Sequence, residues 1–208
     1  MARTGRPRSF ADDDVVEGAK DLFWRRGYAA TSLRDLSDEL GVLPGSLYAA
    51  FGDKHALFLR ALESFAATMR DAVTAFADGP VLPRIAELLG GVLAAARTTP
   101  GRGCMLGNTA TELLPDDDAA ARIVRAAFGT LERALERGLA RAKKRGEIRD
   151  DVDCSAQARL LVVLMQGLHV VARAEPDPHR LDDVVRTALE SMMPRRRPSG
   201  SRRKSTAR

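Results

Sequence analysis

The stretch FWRRGYAATSLRDLSDELGVLPGSLYAAFGDKHALF, Phe23 to Phe58, decides the fold. Leu33, Leu36, Ser37 and Leu40 recur there with helical spacing, after Thr31, a side chain suited to capping a helix start, and before Gly41, free to take positive φ at a helix end. Pro44 fits the first turn of the next helix, where a missing N–H costs nothing, and Leu47 and Phe51 give that helix an apolar side before Gly52 closes it. Two short helices that cross steeply need a small residue at the contact, a turn residue tolerant of positive φ and an apolar anchor. Ser37, Gly41 and Leu47 supply these in order. Such a corner leaves Ser46, Tyr48, Ala49 and Ala50 for a partner, and a helix presented this way fits the major groove of B-DNA. Taken alone the spacing is a weak signal, since most such corners are structural.

Outward from this stretch the apolar period stays near 3.6 and period 2 is rare, so the chain is expected to be all-α with nine helices. The first follows Asp12, Asp13 and Asp14, which suit the positive end of a helix dipole, and aligns Val15, Ala19, Leu22 and Phe23 before Gly27. Asp53 caps a fourth helix that carries Leu57, Ala61, Leu62, Phe65 and Met69 toward Asp78, and Gly79 with Pro80 breaks the pattern. Later helices are expected over Pro83 to Arg97, from beyond Gly101 to Leu114, Asp117 to Arg145, Ser155 to Ala174 with Cys154 at its cap, and Leu181 to Met193.

Composition bounds the rest. The chain has 208 residues, 45% of them apolar and 29% charged, and its longest apolar run, Leu160 to Ala172, is broken by Gln166, Gly167 and His169, so a soluble chain without a membrane partner is expected. Arg3, Arg6 and Arg8 are followed by no apolar segment of the secretory kind, which makes the cytoplasm the expected compartment. Two cysteines, Cys104 and Cys154, make no disulfide framework, and neither a metal-ligand spacing nor a cofactor motif is present. The net charge of +5 misleads, because the last fifteen residues hold seven of the 33 basic side chains and no acid, leaving 26 against 28 acids in the body. A pI near 9.7 therefore reports a basic tail, suited to sequence-independent contact with a polyanion, and not a basic fold.

The residues Gly27, Tyr28, Thr31, Leu36, Gly41, Val42, Leu47, Tyr48, Phe51, Lys54, Leu57 and Phe58 together resemble the DNA-binding domain of the tetracycline-repressor (TetR) family. The resemblance implies a nine-helix homodimer, with paired helix-turn-helix units that read a palindromic operator on double-stranded DNA and a carboxy-terminal helical unit that binds a small-molecule inducer. It divides the chain into a basic arm (1–10), a DNA-binding unit (11–54), a ligand-binding and dimerisation unit (55–193) and a basic tail (194–208) expected to be disordered; Gly79 and Pro80 offer a second place for the boundary. Carried over by position, the resemblance places Thr31, Ser32, Arg34, Pro44, Gly45, Ser46, Tyr48, Ala49, Ala50 and Lys54 at the DNA. Ser32, Arg34, Tyr48 and Lys54 would meet phosphates or base edges, while Ser46, Ala49 and Ala50 would face bases. Phosphate contacts set register and groove-edge contacts choose sequence. Alanine offers only methyl contact, so hydrogen-bonded readout would be thin. Leu43 departs from the family pattern, in which Ser or Thr often caps the recognition helix.

In the second unit Leu161, Leu164, Leu168, Val185, Leu189 and Met192 are expected at a two-fold interface between subunits. Cys104 opens the sixth helix after Arg102, and the helix dipole with that guanidinium would favour a thiolate; the competing reading is a small buried hydrophobe lining a core or pocket. Asn108, Glu112 and Gln166 are candidate polar groups of an inducer pocket, with surface or interhelical hydrogen bonding as the alternative, and His169 is a further candidate whose alternative is a satisfied core histidine. A thiol hydrolase built on Cys104 with His55, His169 or His179 is the enzymatic rival, and no nucleophile elbow or phosphate-cradling loop supports it, so a non-enzyme is expected. A non-specific nucleoid protein using the basic tail is the other rival.

Overall fold

The computed structural model describes residues 12–74, 79–175 and 177–194. The basic arm and the tail beyond Pro194, with the contacts expected of them, lie outside the described residues. Among the described residues there are nine α-helices and no strand: α1 (Asp12–Arg26), α2 (Leu33–Leu40), α3 (Pro44–Phe51), α4 (Lys54–Thr74), α5 (Val81–Thr98), α6 (Met105–Leu113), α7 (Asp118–Lys144), α8 (Cys154–Val171) and, after a 3-10 turn at Pro178–Leu181, α9 (Asp182–Glu190).

Two helix starts differ from expectation. Ser32, not Thr31, caps α2: its hydroxyl accepts from the Asp35 N–H while the Asp35 carboxylate accepts from the Ser32 N–H, a reciprocal capping box that Thr31 is one residue too early to make. Thr31 is fully buried, and its hydroxyl donates to the Gly27 carbonyl at 2.7 Å, tying the end of α1 to the start of α2. At α8 the cap is Asp153, whose carboxylate accepts from Ser155 and Ala156, because a carboxylate outcompetes the neighbouring thiol for those amides. The sixth helix starts only at Met105, since Gly101 and Gly103 hold φ of 80° and 64° and keep the preceding loop out of helical register.

Packing divides into two apolar clusters. One joins Val15, Ala19, Leu22 and Phe23 of α1, Leu36 of α2 and Leu47 and Phe51 of α3 to Leu57, Phe58, Ala61 and Leu62 of α4, and continues into Cys104 to Leu106 and the first half of α7. The second gathers α5, the rest of α7, α8 and α9 around Leu89, Leu135, Leu139, Leu161 and Met165. The first cluster runs across residue 54/55 without interruption, so α4 and α6 belong physically to both units. Leu47, 1% exposed, is the anchor by which α3 is held. Its replacement by alanine is expected to cost about 2 to 5 kcal/mol and to be visible as a lower urea midpoint, with loss of DNA binding following from loss of the corner. Close approach of α1 and α2 depends on Gly18, where a Cβ would stand 2.3 Å from the Leu40 side chain.

The apolar faces of α8 need a correction. Leu161 and Leu168 on α8, and Met192 after α9, are buried in the chain's own core, and Leu164, Val185 and Leu189 pack partly against it. Leu160, Val163, Val170 and Val171 face outward instead. At 18 residues α8 is also long and apolar enough to cross a membrane, contrary to the expectation from its interrupted run. It carries Arg159, Gln166 and His169, and it packs lengthwise on α7.

Candidate nucleic-acid interface

The corner between α2 and α3 is closed by three hydrogen bonds on Ser37. Its carbonyl accepts from Gly41 and from Val42, and its hydroxyl donates to the Val42 carbonyl at 2.7 Å, with Gly41 in the left-handed region at φ 64°. With Leu36, Val42 and Leu47 buried beneath it, α3 turns Pro44, Gly45, Tyr48 and Ala49 to solvent, and Tyr48 is 53% exposed. Ser46 and Ala50 are half-buried, so the outward face is narrower than the expected quartet, and Ala50 contributes to the core beneath. The exposed ridge is nearly free of hydrogen-bond donors apart from Tyr48 and backbone, which suits methyl contact and close approach.

Around the ridge, Ser32 is exposed at the positive end of α2, and bonds from the Ser32 hydroxyl and then its N–H hold the Asp35 carboxyl below its ordinary value. Arg34 is 90% exposed and only 3.9 Å from Asp38, leaving its guanidinium accessible. Lys54 is committed elsewhere. Its ammonium donates to the Tyr28 carbonyl at 3.0 Å and lies 4.0 Å from the Tyr28 ring centroid, so it braces the α1–α2 connection from a half-buried position. Leu43 occupies the N-cap of α3 with no side-chain cap bond and is 75% exposed. Leu43→Ser should therefore stabilise the fold by about 1 kcal/mol, read as a raised urea midpoint.

The DNA-facing unit is wired to the body at two points. The Glu112 carboxylate, at the end of α6, accepts from the backbone N–H of Tyr28 at 3.0 Å and of Ala29 at 2.7 Å, satisfying the turn that precedes α2. Asp117, the cap of α7, meets His55 near the start of α4 at 2.7 Å. Burial by itself would raise the Asp117 carboxyl, but the Ala120 N–H and the His55 ring outweigh it and keep it below the ordinary carboxylate range. His179 is likewise paired, with Asp182 at 3.2 Å.

Inside the body lies a cavity of about 340 Å³. It is bounded by Trp24 of α1, Phe65 and Met69 of α4, Leu88 and Val92 of α5, Met165 and His169 of α8, and the loop from Thr99 to Cys104. Of the expected pocket residues, Cys104 and His169 line it. Glu112 is the brace just described. Asn108 donates to the Arg102 carbonyl and accepts from Arg173, and the Gln166 amide lies 3.8 Å from the Cys104 sulfur, so these two support the wall from behind. Of the two readings of Cys104, these surroundings favour the small buried hydrophobe over the thiolate: burial pushes the Cys104 thiol up, against a smaller pull from the Gly107 N–H and the Gln166 amide. Arg102 serves Asp21 and stacks 3.9 Å over the Trp24 ring. His169 is held below the ordinary imidazole value by burial and then by Arg173. Trp24, Phe65, Met69, Arg173 and Met165 carried no local signal as wall residues, because their segments converge only in the fold.

An exposed second helix on a buried corner, mounted on a helical body with an internal cavity, defines a DNA-binding regulator. Residues 15–61 match the family described as bacterial regulatory proteins, tetR family, and residues 81–188 match the tetracyclin repressor-like C-terminal domain. The chain is 35% identical over 189 residues to the HTH-type transcriptional regulator YezE of Bacillus subtilis (strain 168), covering 89% of this chain and 97% of that one. It is 30% identical over 190 residues to the HTH-type transcriptional repressor ComR of Escherichia coli (strain K12), covering 89% and 90% of the two. Among solved structures, a cysteine mutant of the TetR family transcriptional regulator CifR, complexed with 26-bp double-strand operator DNA, superposes with a TM-score of 0.75 at 31% identity over 90% of this chain and 100% of that one. The chain belongs to the TetR family of DNA-binding transcriptional regulators.

Proposed function

We propose that the chain is a cytoplasmic repressor that binds a palindromic operator as a homodimer and releases it when a small molecule enters the cavity. The observation that carries this reading is the outward face of α3, where Pro44, Gly45, Tyr48 and Ala49 stand clear of the core on a helix held by Leu47. Pairing is supported by Leu160, Val163, Val170 and Val171, an apolar stripe on α8 that nothing among the described residues covers. Two copies joined there would present two recognition helices to successive major grooves roughly 34 to 36 Å apart. Repression is supported by the name of the ComR relative.

Release follows from the wiring. Trp24 both lines the cavity and donates from its indole N–H to the Gly103 carbonyl at 3.0 Å, so an occupant that shifts the loop before α6 acts on α1 directly. The far end of α6 carries Glu112, bound to the turn before α2. A ligand that prefers one placement of α6 thereby prefers one spacing of the recognition helices, and the operator prefers the other. The test is selection of bound fragments from genomic DNA by the full chain. Enrichment of an inverted repeat is expected; uniform recovery with no enriched sequence overturns the reading.

A further inference from the structure

The cavity wall carries an imbalance of charge. Of the residues that line it, Arg102, Arg173 and His169 are the ionisable cationic side chains, and no aspartate or glutamate is among them. Arg102 is neutralised by Asp21 and stacked on the Trp24 ring. Among the described residues Arg173 pairs with no carboxylate. Its two bonds go to neutral acceptors, the Arg102 carbonyl at 3.0 Å and the Asn108 amide oxygen at 2.8 Å. It is held flat against Gly103, where a Cβ would stand 2.7 Å from its terminal nitrogen. Beyond this end the wall is Trp24, Phe65, Met69, Leu88, Val92 and Met165.

We propose that the cavity takes an apolar molecule with a single anionic head, of the carboxylate class, its tail among the α4, α5 and α8 side chains and its head against Arg173. This rests on the inducer reading above and names the chemistry of its ligand. The assignment follows from what each alternative head would meet. An ammonium head would lie beside Arg173 with no acid in the cavity wall to offset the repulsion, and a neutral hydroxyl would forgo the charge-assisted bond that the exposed Arg173 guanidinium offers at the mouth of the cavity. A carboxylate accepts from planar guanidinium donors with charge-assisted geometry and balances the site. His169, held below the ordinary imidazole value by burial and then by Arg173, can donate one N–H to the same head.

The experiment uses matched eight-carbon probes, octanoate, octan-1-ol and octylamine, with the intact protein. Trp24 is the one tryptophan of the chain, so its emission reports occupancy of the cavity, and operator affinity is measured on the same samples by anisotropy. Octanoate is expected to bind at least tenfold more tightly than either partner probe. Arg173→Gln should bring octanoate down to the alcohol's affinity without changing the alcohol, and Arg173→Lys should keep a clear preference for the anion. Equal binding of the three probes, a preference for the amine, an anion preference that survives Arg173→Gln, or no response of Trp24 to octanoate each overturns the assignment. The operator readout separates the two ideas: release by the alcohol or amine alone overturns the anionic head and keeps the inducer reading, whereas tight octanoate binding with unchanged operator affinity keeps the anionic head and counts against the inducer reading.

Discussion

Ala49→Glu is expected to weaken operator binding by roughly a hundredfold or more, through repulsion in a groove walled by phosphates and loss of close approach to base edges. The thermal midpoint should hardly move. Ala49 is exposed on α3 and glutamate is a good helix former, so the substitution acts on the partner and not on the fold. Ala50→Glu is the informative contrast. It is one residue further along and half-buried against the same core that holds Leu47, so it should lower both stability and binding. Anisotropy titrations and urea unfolding on the two variants distinguish a surface that meets DNA from a surface that merely supports it. If Ala49→Glu binds the selected operator as well as the parent, α3 does not enter the groove.

The double replacement Val163→Glu with Val170→Glu is expected to yield a monomer by light scattering and to lower operator affinity by about 10² to 10⁴, the range in which linking two binding units adds avidity. Positions 160, 163, 167 and 170 repeat at helical spacing, and they carry leucine, valine, glycine and valine on the side of α8 turned away from α7. Val163 is 68% exposed in the single chain, and with Leu160, Val170 and the adjoining Val171 it forms an exposed patch of the kind that marks an association surface. Since the opposite stripe, with Leu161, Met165 and Leu168, makes the core, glutamates at 163 and 170 should leave the monomer folded. A variant that stays dimeric by light scattering would place the interface elsewhere.

α8 also illustrates where reading residues in order falls short. Leu160 and Leu161, Val163 and Leu164, Gly167 and Leu168, and Val170 and Val171 put non-polar residues on two faces at once, so periodicity announces a helix without saying which face is inward. The six interface positions expected from the pattern divide accordingly: three are deep in the monomer and three are partly packed against it. The cap of α2 was missed by one residue for a related reason. Thr31 and Ser32 are both capping types, and the reciprocal partner that selects between them, Asp35, is three residues from Ser32 and four from Thr31.

Local chemistry was legible wherever a single residue acts alone on its own backbone. Gly27, Gly41 and Gly52 end helices, Pro44 and Asp53 begin them, and Ser37 permits the corner, because torsional preference and capping operate over a few bonds. These were enough to place the recognition helix. The cavity, the Glu112 brace on the α1–α2 turn and the commitment of Lys54 to Tyr28 were decided only by the tertiary structure, since each depends on groups that lie tens of residues apart along the chain and meet only when helices pack. Hydrogen bonds and apolar contacts fall off within a few ångströms, so which polar group faces a neighbour, a void or water is set by where the helices come to rest, and no local pattern encodes that.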